Sequence, residues 1–148
     1  MSPEEMQGVI NACKWATICT VSEDGSPYAI EATPFYMDGC HCFMINPRGG
    51  TWKNLNHNAR VLLKYTRAAG DLSSWAGVSC LGTGEFIIDE DALREGWRLL
   101  GEVMGADYSN AADTFARCKD RSPLFRVRVE AFTGRCSAPK EGFFVLPA

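Results

Sequence analysis

Hydrophobic and polar positions along the chain follow two different periods, and each period predicts its own kind of element. Apolar residues recur at helical spacing in some stretches, while in others they alternate with polar residues or cluster with β-branched and aromatic ones. The predicted strands cover 15–22, 28–37, 40–46, 60–67, 75–88 and 124–132, and the predicted helices cover about 3–14, 90–104 and 109–119, with a shorter helix from 51. Since short turns join most neighbouring strands, these six strands predict a small antiparallel barrel with helices at its periphery.

Polar residues at two predicted helix starts support those helices. Ser2 and Glu5 have capping-box spacing, and Pro3 suits the first helical position. Asp89 is a suitable N-cap for the helix over 90–104. The acidic residues close to both starts complement the helix dipole, so they need no catalytic role.

Turn residues and a proline punctuate the first three predicted strands. Asp38-Gly39 is a strong hairpin signal, because both central positions of the favoured two-residue turn need positive φ. The cluster "EDGSP" at 23–27 is a second turn signal, so the three strands are predicted to form a meander. Pro34 cannot donate a ladder hydrogen bond, and the strand over 28–37 must therefore be interrupted there, bulged, or lie at an edge.

Two later strands carry patterns with structural meaning. Glycines 77, 82 and 84 within the strand over 75–88 indicate bulges or the close approach of another group. The last strand alternates cleanly, which places Phe125, Val127, Val129 and Ala131 on one face and Arg126, Arg128 and Glu130 on the other. The arginines are therefore expected on a solvated outer face.

Composition and charge narrow the function classes. The 148 residues, 46% of them hydrophobic, fit a single domain over 1–148. A formal net charge of -3 gives no attraction to phosphodiester backbones or anionic lipid, so nucleic acid and membrane are poor partners. The N-terminal stretch "MSPEEMQGVINACKW" has no uninterrupted apolar run, which predicts a cytoplasmic protein. Seven cysteines, an odd number lying mostly in apolar stretches, fit reduced thiols better than disulfides.

The stretch "CHC" at 40–42 has residue types that bind zinc or iron. On a strand, however, Cys40 and Cys42 share one face while His41 points to the other, so the three cannot converge. The second histidine, His57, is remote in sequence. Cysteines packed in a strand are the favoured interpretation, and a thiol-based metal or redox protein is the weakest of three functional hypotheses.

The stretch "INPRGGTWKNL" at 45–55 combines two glycines, a hydroxyl and two cations at the start of a short predicted helix. Thr51 occupies the expected N-cap position, and Trp52 and Leu55 are predicted to face the core. Exposed amides at a helix start bind anions, glycines allow a ligand close to the backbone, and Arg48 and Lys53 add positive charge. An ordinary loop, cap and pair of solvated cations explain the same residues, and spacing alone favours that simpler explanation.

Four stretches in order resemble the flavin-binding split β-barrel family of pyridoxamine 5'-phosphate oxidase-like proteins, and especially its nitroimidazole-resistance-type branch. They are "ATICTVSEDGSPYAIEATPFYMDGCHCFMIN", "GGTWKNLNHNARVLL", "GTGEFIIDEDALREGWRLL" and "LFRVRVEAFTGR", which together span most of residues 16–135. The resemblance implies a mainly β fold: a six-stranded antiparallel split β-barrel of Greek-key type with peripheral helices. It raises the anion-site hypothesis above the simpler explanation.

The resemblance also implies a homodimer with two FMN molecules at the subunit interface, each touched by both chains. The phosphate is expected at the start of the helix near Thr51, the isoalloxazine ring against the interrupted strand, and Met44 on the apolar part of the flavin. Trp75 is expected to reach the flavin of the partner. The implied cofactor-binding residues are Glu31, Ala32, Thr33, Pro34, Met44, Asn46, Arg48, Gly50, Thr51, Trp52, Lys53 and Trp75; no catalytic side chain and no metal ligand is implied.

Two departures from the family pattern shape the functional hypothesis. Thr51 stands where many relatives have lysine, and Lys53 lies roughly 200° further around a helix. The chain ends in "EGFFVLPA", without a recognisable arginine- and histidine-bearing substrate segment, so vitamin B6 oxidation is not expected. The leading hypothesis is an FMN-dependent oxidoreductase acting with a small-molecule electron donor and acceptor. The alternative is a non-catalytic module that senses or stores flavin or haem.

Overall fold

The computed structural model describes residues 1–118 and 120–137, and the observations below concern those residues. The elements in chain order are α1 (Pro3–Ala12), β1 (Ala16–Val21), β2 (Pro27–Ala32), β3 (Phe35–Met37), β4 (Cys40–Met44), α2 (Gly50–His57), β5 (Arg60–Ala68), β6 (Trp75–Phe86), α3 (Glu90–Met104), α4 (Ala111–Cys118) and β7 (Leu124–Cys136). Every predicted element is present, and α3 has the predicted bounds. The expected helix end at 119 and the segment "EGFFVLPA" lie outside the described residues.

The strands form one antiparallel sheet in the order β2-β1-β5-β6-β7-β4-β3. Its two edge strands, β2 and β3, are separated in sequence only by Thr33 and Pro34. Because the three steps from Ala32 to Phe35 span at most about 11 Å, the sheet must curl until its edges nearly meet. The fold is thus mainly β, an open half-barrel with helices around it.

The break at Pro34 explains the difference between six predicted and seven observed strands. The stretch over 28–37 was predicted as one interrupted strand in the middle of a meander. Its first half pairs with β1 and its second half with β4, at opposite edges of the sheet. The interruption is confirmed, whereas a continuous three-stranded meander is wrong, since no β2–β4 or β2–β3 pairing is present among the described strands.

The turn between β3 and β4 has the predicted chemistry. Asp38 and Gly39 both have positive φ, of 52° and 71°. Met37 pairs directly with Cys40, so the turn has two residues and sets the register of the hairpin. Cys40 and Cys42 consequently face one side of the sheet and His41 the other.

A β-bulge shifts the phase of β7 against β6. Leu81 pairs with Ala131 but Gly82 pairs with Val129, so Glu130 is the extra residue. A Cβ at Gly82 would lie 2.2 Å from the Arg128 carbonyl oxygen, a contact that only glycine avoids. The prediction that Ala131 shares a face with Phe125 is wrong for this reason, because the bulge turns Ala131 outward, where it is exposed.

Two buried cores hold the helices to the sheet. Val9 and Ile10 of α1 belong to the core inside the half-barrel. Leu93 and Leu100 of α3 pack with Cys40 and Cys42 in a second core outside β3 and β4. The α1 start is the predicted capping box, with Ser2 and Glu5 exchanging side-chain and backbone hydrogen bonds, and Asp89 caps α3. These cores position the C-terminal half of α3 beside the β2–β3 joint.

Candidate functional site

An open cleft of about 470 Å³ lies where the joint between β2 and β3, the end of β4 and the end of α3 come together. We call it the β2–α3 cleft. Its lining residues are Trp15, Ile30, Glu31, Ala32, Thr33, Met44, Ile45, Asn46, Leu100, Met104 and Tyr108. Volumes of this size are typical of small-molecule and cofactor sites.

Most of the lining is apolar, yet part of it faces solvent. Trp15 is 60% exposed and Met104 is 47% exposed. Polar groups come from Glu31, Thr33 and Asn46, and the Thr33 hydroxyl lies 3.6 Å from the Met104 sulfur. Large exposed apolar side chains around a concave surface with few polar groups indicate a surface that something else covers.

The backbone at the joint contributes hydrogen-bonding capacity as well. β2 is an edge strand, so alternate N–H and C=O groups along its outer side have no strand partner. Thr33 and Pro34 lie between the strands and outside any ladder. A planar ligand with polar atoms on one edge can therefore find backbone partners there.

The start of α2 differs from the prediction. Gly49 is the N-cap, with no side-chain cap hydrogen bond, and the helix begins at Gly50. Thr51 is therefore inside the first turn and only 2% exposed, and its Oγ1 has no hydrogen-bond partner. The expectation that Thr51 caps this helix is wrong, because the chain turns into the helix two residues earlier.

Gly50 is close to the protein's own side chains. A Cβ at Gly50 would lie 2.6 Å from Cζ of Tyr28, so the phenol ring occupies the space above this glycine. Thr51 and Asn54 form the buried side of α2, where the Asn54 side chain donates to Thr20 Oγ1 at 2.9 Å. Leu55 is half-buried and packs against the core inside the half-barrel, as predicted, whereas Trp52 is half-buried and lies under Arg121, and Lys53 is exposed.

Arg48 and Trp52 lie next to two arginines from a distant part of the chain. Arg121 stacks on Trp52 with its Cζ 4.3 Å from the ring centroid. Arg48, Arg117 and Arg121 line a second, smaller cleft of about 310 Å³, which we call the arginine cleft. Its nearness to α2 comes from the loop that leads into β7, and a local motif could not have predicted it.

Trp75 lines neither of these two clefts. It begins β6 and lines a groove of about 410 Å³ on the sheet surface with Lys64 and Arg135. The structure thus brings together Glu31, Ala32, Thr33, Met44 and Asn46 in one cleft, with Pro34 next in the chain. Arg48 lines the arginine cleft, while Gly50, Thr51, Trp52 and Lys53 lie in α2, and Trp75 lines a different groove.

A third and larger cleft, of about 580 Å³, separates α3 from α4. Its charged residues are largely engaged with neighbours on the helix: Arg98 pairs with Glu95 and Glu102, and Arg94 pairs with Glu90. It contains none of the predicted site residues. Size alone therefore does not make it the better candidate, although Tyr108 lines both this cleft and the β2–α3 cleft.

The inside of the half-barrel holds a hydrogen-bonded pair of side chains. His41 Nδ1 and the Tyr65 hydroxyl are 2.6 Å apart and both residues are buried. Burial lowers the pKa of His41 to about 4 and raises the pKa of Tyr65 far above its usual range. At neutral pH this hydrogen bond consequently joins an un-ionised phenol to an uncharged imidazole. Neither His41 nor Tyr65 lines the β2–α3 cleft or the arginine cleft.

The cysteines are free thiols, and burial raises the pKa of Cys42 and Cys80 to about 12. Such thiols carry almost no thiolate at neutral pH and are poor nucleophiles or metal ligands. In residues 1–118 and 120–137, no three His, Cys, Asp or Glu side chains group closely enough to hold a metal ion. Within the same ranges, none of the helices combines the length and apolar character that crossing a bilayer requires.

Comparison with known proteins identifies the fold. Among curated proteins, no sequence matches the chain. A candidate 5-nitroimidazole antibiotic resistance protein from Bacteroides thetaiotaomicron is similar in structure, with a TM-score of 0.74 and 18% identity, covering 91% of this chain and 84% of that one. A FAD-binding protein from Mesorhizobium loti has a TM-score of 0.69 and 19% identity, covering 93% and 96%.

A haem storage protein from Vibrio cholerae is also similar, with a TM-score of 0.68 and 16% identity over 88% of this chain and 92% of that one. At such identities the structures establish a shared fold and nothing finer. The sequence itself matches the model of the pyridoxamine 5'-phosphate oxidase family over residues 2–136. Because this match leaves out only the ends, the chain belongs to the pyridoxamine 5'-phosphate oxidase family.

Proposed function

We propose that this protein binds FMN in the β2–α3 cleft and uses it in the oxidation or reduction of a small molecule. The observation that carries the proposal is the cleft itself, which gathers five of the predicted flavin contacts at the joint of the two sheet edges. Its volume, apolar walls and few polar groups suit a planar, partly polar ring. Membership of the family and the similar FAD-binding structure support a flavin as the ligand.

The residues present fit such a ring. Met44, Leu100 and Met104 would pack against its apolar part, since thioether side chains adapt to flat surfaces. The free edge of β2 and the Asn46 side chain would bond its polar atoms. When bound, the flavin supplies electron or hydride transfer, and the protein positions it and limits solvent access. No described side chain in the cleft needs to act as an acid or base.

Haem is the competing ligand, because one similar structure is that of a haem storage protein. Haem iron is often held by histidine. Neither of the two histidines lines the β2–α3 cleft: His41 is bonded to Tyr65 inside the half-barrel, and His57 is the exposed last residue of α2. This placement favours flavin over haem in the cleft.

We also propose that the functional unit is a homodimer that buries the outer face of the sheet. Five directly paired positions across β2, β1, β5, β6 and β7 form an outer apolar row: Ala29, Cys19, Leu62, Leu81 and Ala131. None of the five belongs to either buried core, and Leu81 is 42% exposed. The next row carries Glu31 and Lys64, one of each charge, so a second copy is not repelled. Trp75 would then be able to contact the partner's flavin.

Spectroscopy of the purified protein tests the ligand. Protein reconstituted with FMN should show flavin absorbance that survives gel filtration, and denaturation should release the flavin. The variant Met44→Lys should lower FMN affinity at least about tenfold, because it places a charge against the ring. Leu72→Lys, the same kind of change at a leucine that is 74% exposed and lines neither cleft, is the control. Failure of the wild type to retain FMN, together with a Soret band after haemin addition, would overturn the flavin proposal in favour of haem.

Reduction experiments separate catalysis from storage. Rapid mixing of the FMN-loaded protein with NADH, NADPH or an artificial donor should bleach the flavin absorbance, and an added acceptor should restore it. Bound FMN that none of these donors reduces would instead indicate a sensor or storage module.

A further inference from the structure

Three arginines from separate parts of the chain line the arginine cleft. Arg48 follows β4, Arg117 is in the last turn of α4, and Arg121 lies in the segment before β7. The other lining residues are Cys118 and the carboxylate of Asp120. Three arginine charges less the one of Asp120 leave two positive charges in a cleft of about 310 Å³, on a chain whose formal net charge is -3.

These arginines lack the carboxylate partners that other surface arginines have. In the described part of the chain, Arg60, Arg94, Arg98 and Arg126 each form an ion pair with glutamate. The three arginines of the cleft form no such pair there: Arg117 donates to Thr114 Oγ1 at 3.4 Å, and Arg121 stacks on Trp52. Three guanidinium groups gathered around a single carboxylate leave an excess of positive charge that can bind an anion, and phosphate is the anion whose geometry they match best.

Residues two positions apart in the chain line the β2–α3 cleft and the arginine cleft. Asn46 lines the β2–α3 cleft and Arg48 lines the arginine cleft. The backbone N–H of Arg48 donates a hydrogen bond to Oδ1 of Asn46 at 2.9 Å, which fixes the conformation of the segment between them. The Cα atoms of Asn46 and Arg48 are at most about 7 Å apart. One ligand can therefore place a ring in the β2–α3 cleft and an anionic tail in the arginine cleft.

We infer that Arg48, Arg117 and Arg121 bind the phosphoester group of the ligand whose ring occupies the β2–α3 cleft. This inference rests on the proposed function. Arg117 and Arg121 then supply the positive charge that the family's usual lysine would have supplied at Thr51. Two net positive charges match a phosphate monoester, which carries roughly -1.5 to -2 at pH 7. The monoester of FMN and the diphosphate of FAD share this chemistry.

The inference is tested by titrating the apoprotein with riboflavin, FMN and FAD. The quenching of flavin fluorescence reports binding. The wild type should bind FMN more tightly than riboflavin. In R117Q/R121Q, FMN affinity should fall about tenfold or more while riboflavin affinity stays the same, because only the anionic tail loses partners. R94Q, a matched change on α3, should alter neither. If the wild type binds FAD more tightly than FMN and R117Q/R121Q does not, the arginines bind a diphosphate.

The outcomes separate this inference from the proposed function. An unchanged ratio of FMN to riboflavin affinity in R117Q/R121Q would overturn the inference and leave the flavin site intact. If the wild type binds neither riboflavin nor FMN, the proposed function is overturned. Calorimetry with inorganic phosphate then tests whether the arginine cleft binds an anion. Saturable phosphate binding that is lost in R117Q/R121Q would support anion binding there, and no phosphate binding would refute it. Arg121 packs on Trp52, so R117Q alone, at an exposed position, replaces the double variant if that variant unfolds.

Discussion

At the scale of single residues, the His41–Tyr65 pair couples stability to pH. The pKa of His41 is lowered by burial from 6.5 to about 4, so the folded state binds a proton less readily than the unfolded chain. The stability that depends on His41 being uncharged is fully present above pH 6.5 and is lost as the pH falls toward 4. As the pH falls through that window, the free energy of unfolding should decrease by as much as about 3 kcal/mol on account of His41. Urea denaturation at a series of pH values measures this decrease.

Other groups also titrate in that range, so variants must isolate the pair. Replacing both partners, as in H41L/Y65F, should remove this part of the pH dependence without leaving one member of the pair buried and unpaired, and Tyr36, which also bonds to Tyr65, is 41% exposed and can bond to water instead. H57Q changes the exposed histidine and should keep the wild-type slope. Parallel pH profiles for the wild type and H41L/Y65F would show that the pair does not link folding to protonation.

Gly50 offers a residue-scale test of why a glycine begins α2. The Tyr28 ring lies 2.6 Å from the place of a Cβ, so G50A should displace the ring and destabilise the protein by about 1 kcal/mol. In a Y28A background the same change meets no ring and should stabilise by as much as about 1 kcal/mol, because alanine is the better helix former. Denaturant unfolding of the four proteins gives both values. An equal effect in both backgrounds would mean that Tyr28 does not require the glycine.

At the scale of elements, local chemistry was predictable and tertiary pairing was not. The Asp38-Gly39 turn and the Asp89 cap depend on neighbouring residues alone, and both are confirmed. Gly82 did indicate a bulge or a close approach, and both are confirmed, but the periodicity of the sequence does not show which strand carries the extra residue, and that sets the phase shift in β7. The α2 cap was wrong for a similar reason, since the path of the chain after β4 decides which residue precedes the helix.

The bulge between β6 and β7 gives a prediction at this scale. A Cβ at Gly82 would lie 2.2 Å from a backbone oxygen of β7, which cannot move without separating the two strands. G82A should therefore cost about 2 kcal/mol or more in the free energy of unfolding. G70A, at a loop glycine with nothing within 4 Å, is the control. Thermal unfolding measures both, and a neutral G82A would contradict the tight strand contact.

The candidate site shows the same division between local and long-range information. Glu31, Ala32, Thr33, Met44 and Asn46 were predicted as one group by family resemblance, and they do line one cleft. Arg117 and Arg121 carried no local signal, because they join Arg48 only after α4 and β7 have packed. Leu100 and Met104 were missed as lining residues because their helical spacing is equally typical of ordinary core packing, and Tyr108 was missed because it lies in the segment between α3 and α4.

At the scale of the whole molecule, the curl of the sheet creates two surfaces with different uses. Joining the sheet edges through Thr33 and Pro34 forms the β2–α3 cleft on one side. The described helices α1 and α3 pack into the two cores, and neither core includes the outer apolar row. Within residues 1–118 and 120–137, neither core therefore covers this apolar stripe across five strands, and its exposure is costly in water unless another surface covers it.

The homodimer proposal makes a prediction about that stripe. Leu81 lies in the outer apolar row next to Leu62 and Ala131, so L81E should bury two like charges about a two-fold axis and weaken association at least about tenfold. Sedimentation analysis should find the wild type at twice the mass of one chain and L81E largely monomeric. L72E alters a leucine that is 74% exposed in the loop before β6, and it should remain dimeric. If Trp75 contacts the partner's flavin, L81E should also lose FMN affinity in step with dissociation, whereas a monomeric variant with undiminished FMN affinity would confine the flavin site to one chain.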